Sequence, residues 1–242
     1  LGSILSQTGL DSIYIAVIPS KEKRLHLCDC LQEGRRAAVR LYQECIDEAQ
    51  LNGISRVMMN SGAMQADIEG GIRALGASVE ELYEYAARRN YTSFSLTMEP
   101  CDTKMDACQL MGPVHRTKAF VDSMRKRGFP LELTMDSAHT VEEGEDFFQA
   151  LQTVKPFCNH IHFANCDITN RESPLYGDKH LGYDFPNSQW TFSSLERLTQ
   201  QLQALYPGED PLRIGLEFLC REEDPYAYFQ RTWNQLSFIH KA

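Results

Sequence analysis

Four strand-like stretches of this chain end in the same way, and that repetition limits the folds open to it. In LELTMD, Leu131, Leu133 and Met135 alternate with Glu132, Thr134 and Asp136, the two-residue period of a β-strand. The stretch closes on a carboxylate, and His139 follows on the exit turn. SFSLTME closes on Glu99, NHIHFA carries His162 and RIGLEFL carries Glu217. Each has one greasy face: Phe94, Leu96 and Met98; Ile161 and Phe163; Ile214, Leu216 and Phe218. The opposite faces are small or polar: Ser95, Thr97 and Glu99; His160 and His162; Arg213, Gly215 and Glu217. An open doubly wound sheet, covered by helices on both sides, reads as apolar on both faces. One greasy and one polar face fit a closed barrel whose interior carries functional groups at the C-terminal strand ends.

Helical patterns alternate with these strands, so the sheet is expected to be parallel. SIYIAVI (12–18) reads as a strand ended by Pro19-Ser20, and a long helix runs up to Asn52-Gly53. ISRVMMNSG is a strand, and Ser78 with Glu81 forms a capping-box start for the next helix. Further helices are expected over VHRTKAFVDSMRKRG, VEEGEDFFQALQTVK, SSLERLTQQLQAL and YAYFQRTWNQLSFI. Six strands are clear, and a short seventh is expected in the loop 176–186. LGSILSQTGL reads as the end of a helix, which places the first strand upstream of Leu1. The expected fold class is therefore α/β, a TIM (β/α)8 barrel with its first strand missing from the sequence, as one domain over 1–242.

The formal net charge of −9 argues against a general nucleic-acid surface, which needs a basic footprint. No apolar run approaches the roughly 18 residues of a membrane span, so no membrane partner is expected. Eight scattered cysteines, none in a CxxC pair, read as reduced thiols of a cytoplasmic protein.

Glu99, Asp136, His162 and Glu217 together offer three carboxylates and an imidazole. That set suits one divalent metal ion such as Mn²⁺, Mg²⁺, Co²⁺ or Zn²⁺. Any one of the acids alone could be a solvated strand-end charge; the ordered set of four outweighs that reading. His160 points inward but deeper, as a hydrogen-bonded core histidine. His26, His115 and His240 read as surface residues, and Arg213 with Glu132 as an ion pair low in the barrel.

TMEP, MDSAH, HIHFANCD and GLEF, in that order, resemble the xylose-isomerase-like superfamily of TIM barrels. Its members include sugar and sugar-phosphate isomerases, ketose 3-epimerases, inosose dehydratases and AP endonucleases. The resemblance implies a metal-dependent isomerase or epimerase of a small sugar, sugar phosphate or polyol derivative, working by proton transfer through a metal-stabilised enediolate. Carried over, Glu99, Asp136, His162 and Glu217 hold the metal, and Glu99 and Glu217 are the catalytic acid/base pair. His139 bonds a substrate hydroxyl and Arg171 is a substrate contact, while Asp178 and His180 are either substrate contacts or hold their loop by hydrogen bonds. The implied partner is a small carbohydrate, with a homo-oligomer possible. Rival readings are an inosose-type dehydratase, an AP-endonuclease-like phosphodiesterase and a non-catalytic sugar-binding module. Asp178-Lys179-His180 resembles the Asp-x-His of the endonucleases, but the strand ends IAVIPS and MMNSG lack the histidines those enzymes use.

Overall fold

The computed structural model describes residues 2–208, 212–221 and 224–237, so His240 lies outside the described residues. One parallel sheet organises the chain. Its strands are β1 (Ile13–Ile15), β2 (Arg56–Met59), β3 (Ser95–Met98), β4 (Glu132–Asp136), β5 (Cys158–Ala164) and β6 (Arg213–Glu217). They lie in sequence order, each hydrogen-bonded in parallel to the next. The crossovers carry α3 (Gln32–Leu51), α4 (Ile68–Arg88), α5 (Val114–Lys126), α7 (Phe147–Val154) and α8 (Phe192–Leu205).

The greasy strand faces turn outward onto these helices. Leu96, Met98, Leu133, Met135, Ile161 and Phe163 are buried in one core with Leu75, Leu82, Val121, Leu151 and Leu198. The polar faces line the inside of the curve, where Thr97 Oγ1 bonds Thr134 Oγ1 (2.8 Å) and Thr134 Oγ1 bonds His160 Nδ1 (3.0 Å). Curling brings the two ends of the sheet together low in the barrel. Asp11, just ahead of β1, accepts a hydrogen bond from Arg213 at the start of β6, and Arg56 lies 3.7 Å from the same oxygen. The α/β barrel-type fold expected from strand parity is the one the chain adopts.

The differences are local and have physical causes. The described sheet has six strands rather than seven: β6 pairs directly with β5 from His160↔Arg213 to Ala164↔Glu217, which leaves no slot between them. Loop 176–186 is held by Asp167 instead, whose carbonyl accepts from Gly177 N (2.9 Å). Strand β1 stops at Ile15, and Val17–Lys23 is helix α2, with Pro19 in its first turn, where a missing N–H costs nothing. Ahead of β1 lies α1 (Gly2–Thr8), the helix end expected there. Ser78 does not cap a helix. Helix α4 starts earlier, capped by Asp67, which accepts from Gly70 N (2.8 Å), and Ser78 is buried mid-helix, donating to Leu27 O (2.7 Å).

The helix expected over VEEGEDFFQALQTVK is two helices, α6 (Ser137–Glu142) and α7, separated at Gly144 with φ of +88°. A true capping box does start α8, from Thr191 with Ser194. The last described helix is α9 (Pro225–Gln235).

Candidate metal and active site

The C-terminal ends of β3 to β6 converge. Asp136 and His162 are register partners on β4 and β5, and Gly215 on β6 is the partner of His162. A Cβ at Gly215 would lie 3.0 Å from His162 Cδ2, so its absence leaves the room in which that ring sits. Glu217 comes one inward-facing position later. Glu99 follows the last residue of β3 and is fixed by its own N–H, which donates to Met59 O (2.9 Å).

His162 Nδ1 lies 2.7 Å from Glu99 Oε1, 2.7 Å from Glu217 Oε2 and 3.8 Å from Asp136 Oδ2. One ligand atom from each of the four side chains lies within 4.8 Å of the other three. Asp136 divides its oxygens. Oδ1 accepts from Ala138 N (2.7 Å) and His139 N (2.8 Å), starting α6, while Oδ2 is left facing the cluster.

Glu99 Oε1, Asp136 Oδ2 and His162 Nδ1 are buried and have no partner of hydrogen-bond geometry. Buried polar atoms are normally satisfied. Three orphans aimed at one point, two of them anionic oxygens and one an imidazole nitrogen, fit a divalent cation. The titration of the cluster agrees. Burial pushes the Asp136 carboxyl up, and the charges of Glu99 and Glu217 add to that against His139 and His162. His162 is driven the other way from a normal buried histidine: burial opposes its charge, but Glu99 and Glu217 raise it to about 11. Glu217 is held low, against burial, by the close approach and charge of His162. Without a cation, the proton on His162 does the neutralising.

A second group stands beside the first. His139 Nε2 lies 3.7 Å from Asp178 Oδ2, Asp178 Oδ1 lies 3.3 Å from His180 Nδ1, and His180 Nε2 lies 3.7 Å from Glu217 Oε1. Loop 176–186 is pinned in this position by Leu219 N donating to His180 O (2.8 Å), by Arg221 donating to Lys179 O (2.8 Å) and by an ion pair of Lys179 with Asp106. The structure thus brings together Glu99, Asp136, His162, Glu217, His139, Asp178 and His180. Arg171 is different: it is exposed ahead of that loop and is not among the residues that gather at the cluster.

Other expectations are corrected. Arg213 pairs with Asp11 rather than Glu132, which accepts from Asn159 Nδ2 (3.3 Å), because the sheet's curl brings the first and last strands together. His26 is half-buried and accepts from Ala63 N (3.3 Å), whereas His115 is exposed as expected. Gly215 and Glu142 were given no role in the site from the sequence. The first was visible as the inward-facing gap in RIGLEFL. The second carried no signal, being one of several acids after MDSAH.

No family model matches the sequence, and no curated protein matches it. Solved structures do. A 3-keto-D-glucoside 4-epimerase, YcjR, from E. coli superposes with a TM-score of 0.69 at 16% identity, covering 100% of this chain and 83% of that one. A D-tagatose 3-epimerase-like protein gives 0.70 at 14%, covering 99% and 82%. An AP endonuclease, family 2, from Brucella melitensis gives 0.54 at 14%, covering 81% and 67%. The chain shares the α/β barrel-type fold of these structures. At these identities the likeness concerns the fold, and the chemistry is argued from the chain's own residues. Within that fold, the strand ends of β1 and β2 carry Ala16 and Asn60 here, with no histidine at either.

Proposed function

We propose that the chain is a metal-dependent isomerase or epimerase of a small sugar, sugar phosphate or polyol derivative. One observation carries the reading: two glutamates and an aspartate converge on a single nitrogen of His162, and three of these four facing atoms are buried without a hydrogen-bond partner. Glu99, Asp136, His162 and Glu217 would hold the cation. When bound, a divalent ion polarises a carbonyl and acidifies the neighbouring C–H.

The protein's own groups then divide the work. Glu99 and Glu217 come from β3 and β6, at opposite ends of the curved set, and can remove and return a proton at one carbon from two sides. Asp136, whose Oδ1 is committed to the start of α6, serves as a ligand only. His139, Asp178 and His180 line one side with hydrogen-bonding edges suited to hydroxyl groups. Two of the structures that share the fold bear the names 3-keto-D-glucoside 4-epimerase and D-tagatose 3-epimerase-like protein, which supports a ketose or keto-sugar substrate. A phosphodiesterase is disfavoured by the net charge of −9 and by Ala16 and Asn60 where further metal-binding histidines would be needed.

The test is metal analysis of the purified chain, followed by incubation with a panel of ketoses and ketose phosphates in D₂O. Deuterium should enter the carbon next to the carbonyl, an epimer or isomer should accumulate, and a chelator should stop both. A dehydratase would instead release a dehydrated product in the same assay. A fully metal-loaded chain that exchanges no proton in any sugar would overturn the reading.

A further inference from the structure

Helix α6 places His139 and Glu142 three residues apart, on the same face of the turn. Glu142 Oε2 lies 3.3 Å from His139 Nδ1, and the Glu142 side chain is 0% exposed. Its other oxygen, Oε1, is buried with no hydrogen-bond partner.

This carboxylate is poorly placed for any purely structural task. Its electrostatic surroundings include Asp178 and Asp102, so it adds a third acid to a confined space. It does not start α6, a task that belongs to Asp136. Asp102, by contrast, has a clear structural use, accepting backbone N–H groups from residues 104 to 107 to shape its loop. The one group Glu142 addresses is the His139 ring. A carboxylate at one imidazole nitrogen takes an N–H there and leaves the other ring nitrogen for the opposite side.

We propose that Glu142 is the positioning residue of His139: it accepts the Nδ1 proton, so the ring turns only its Nε2 edge to the substrate side, toward Asp178. The pairing itself stands on the contact between the two side chains. Only the task of the Nε2 edge, bonding a substrate hydroxyl, rests on the proposed function.

The experiment uses the intact chain, labelled with ¹⁵N-histidine and loaded with Mg²⁺ or Zn²⁺. Long-range ¹H–¹⁵N spectra report the proton on each ring nitrogen, and the His139 signals are those that vanish in His139→Gln. In the parent, Nδ1 of His139 should be protonated. Glu142→Gln is nearly isosteric and fills the same space, but its amide can offer either an oxygen or an NH₂ to the ring. The Nδ1 signal should then move toward the unprotonated position while metal content stays unchanged. Glu142→Asp, which keeps a carboxylate, should retain part of the parent pattern.

Turnover in Glu142→Gln should fall on the order of 10- to 100-fold, as when a group that orients a site histidine is lost. An unprotonated Nδ1 in the parent, or an identical His139 spectrum in Glu142→Gln, overturns the proposal. The parent spectrum decides it even where Glu142→Gln does not fold. A parent that turns over no sugar defeats the proposed function but leaves this spectral test intact.

Discussion

His160 and His162 sit two residues apart on one face of one strand, yet the barrel treats them as different kinds of group. His160 lies one layer down, bonded at Nδ1 by Thr134, which in turn bonds Thr97. Burial, the charge of His162 and the cations Arg56 and Arg213 push its pKa down to about 3, so it stays neutral. His162 is almost as buried, but it faces three carboxylates and is pushed up to about 11. The rings nearly touch, with centroids 4.8 Å apart at 89°. Neighbours, rather than depth, set the difference: His160 has a hydroxyl partner and cations near it, whereas His162 Nδ1 and the acid oxygens it faces on Glu99 and Asp136 are orphaned.

The largest break in that contrast should come from the upper-layer acids. Glu99→Gln and Glu217→Gln should each lose about 10² to 10⁴ in turnover, the usual worth of a placed acid or base, while retaining some metal through the amide oxygen. Steady-state rates with metal content measured alongside check this, and near-parental rates in both variants would remove the proton-transfer role.

Next comes the histidine pair itself. His162→Ala should weaken metal binding by more than the roughly 10- to 100-fold lost with a residue that merely orients a ligand, as read by calorimetry. If the affinity survives, the upper layer is not the metal site.

The two layers should also part with pH. In the metal-free protein the folded pKa of His162 is raised above its ordinary 6.5. Its protonated form therefore stabilises the fold fully below that value, and the contribution is lost as pH rises through the folded pKa. A cation must displace that proton, so metal affinity should rise about tenfold per pH unit between pH 6 and 8 for each proton released. Titration in a weakly buffered indicator solution counts the protons.

Smaller effects sharpen the comparison. Gly215→Ala places a methyl 3.0 Å from His162 Cδ2 and 3.5 Å from His160 Nε2, and should cost about tenfold in metal affinity by tilting the upper ring. Thr134→Val removes the hydroxyl that serves both His160 and Thr97. It should cost about 1–3 kcal/mol of stability in denaturant unfolding and leave metal affinity where it was.

Strand parity made the barrel and its cluster legible. Glu99, Asp136, His162 and Glu217 are each an inward-facing donor at or near the end of a stretch whose outward residues are apolar, and period-two alternation survives any surrounding context. What depended on distant contacts was not legible. Ser78 sits in a good capping pattern, but Gly71 lies close against Gln65 and Leu110, and α4 runs through it. Asp11 and Arg213 are 202 residues apart, so their ion pair could not be inferred from either neighbourhood. The supposed seventh strand had plausible residues, but β5 had already given its open edge to β6. Glu142 gained its meaning only when the turn of α6 set it under His139.

Glu99 and Glu217 differ in one further respect: their side chains are 10% and 38% exposed. A hydron carried by Glu217 would stand nearer bulk water than one carried by the more buried Glu99. The two faces of the site therefore have unequal isotopic memory. In the proposed two-base scheme, label lifted by Glu217 is diluted into solvent before the substrate can take it back, whereas label lifted by Glu99 is more often returned to the unreacted sugar it came from. The direction in which the unreacted tritiated sugar keeps its tritium would then report which glutamate acted first.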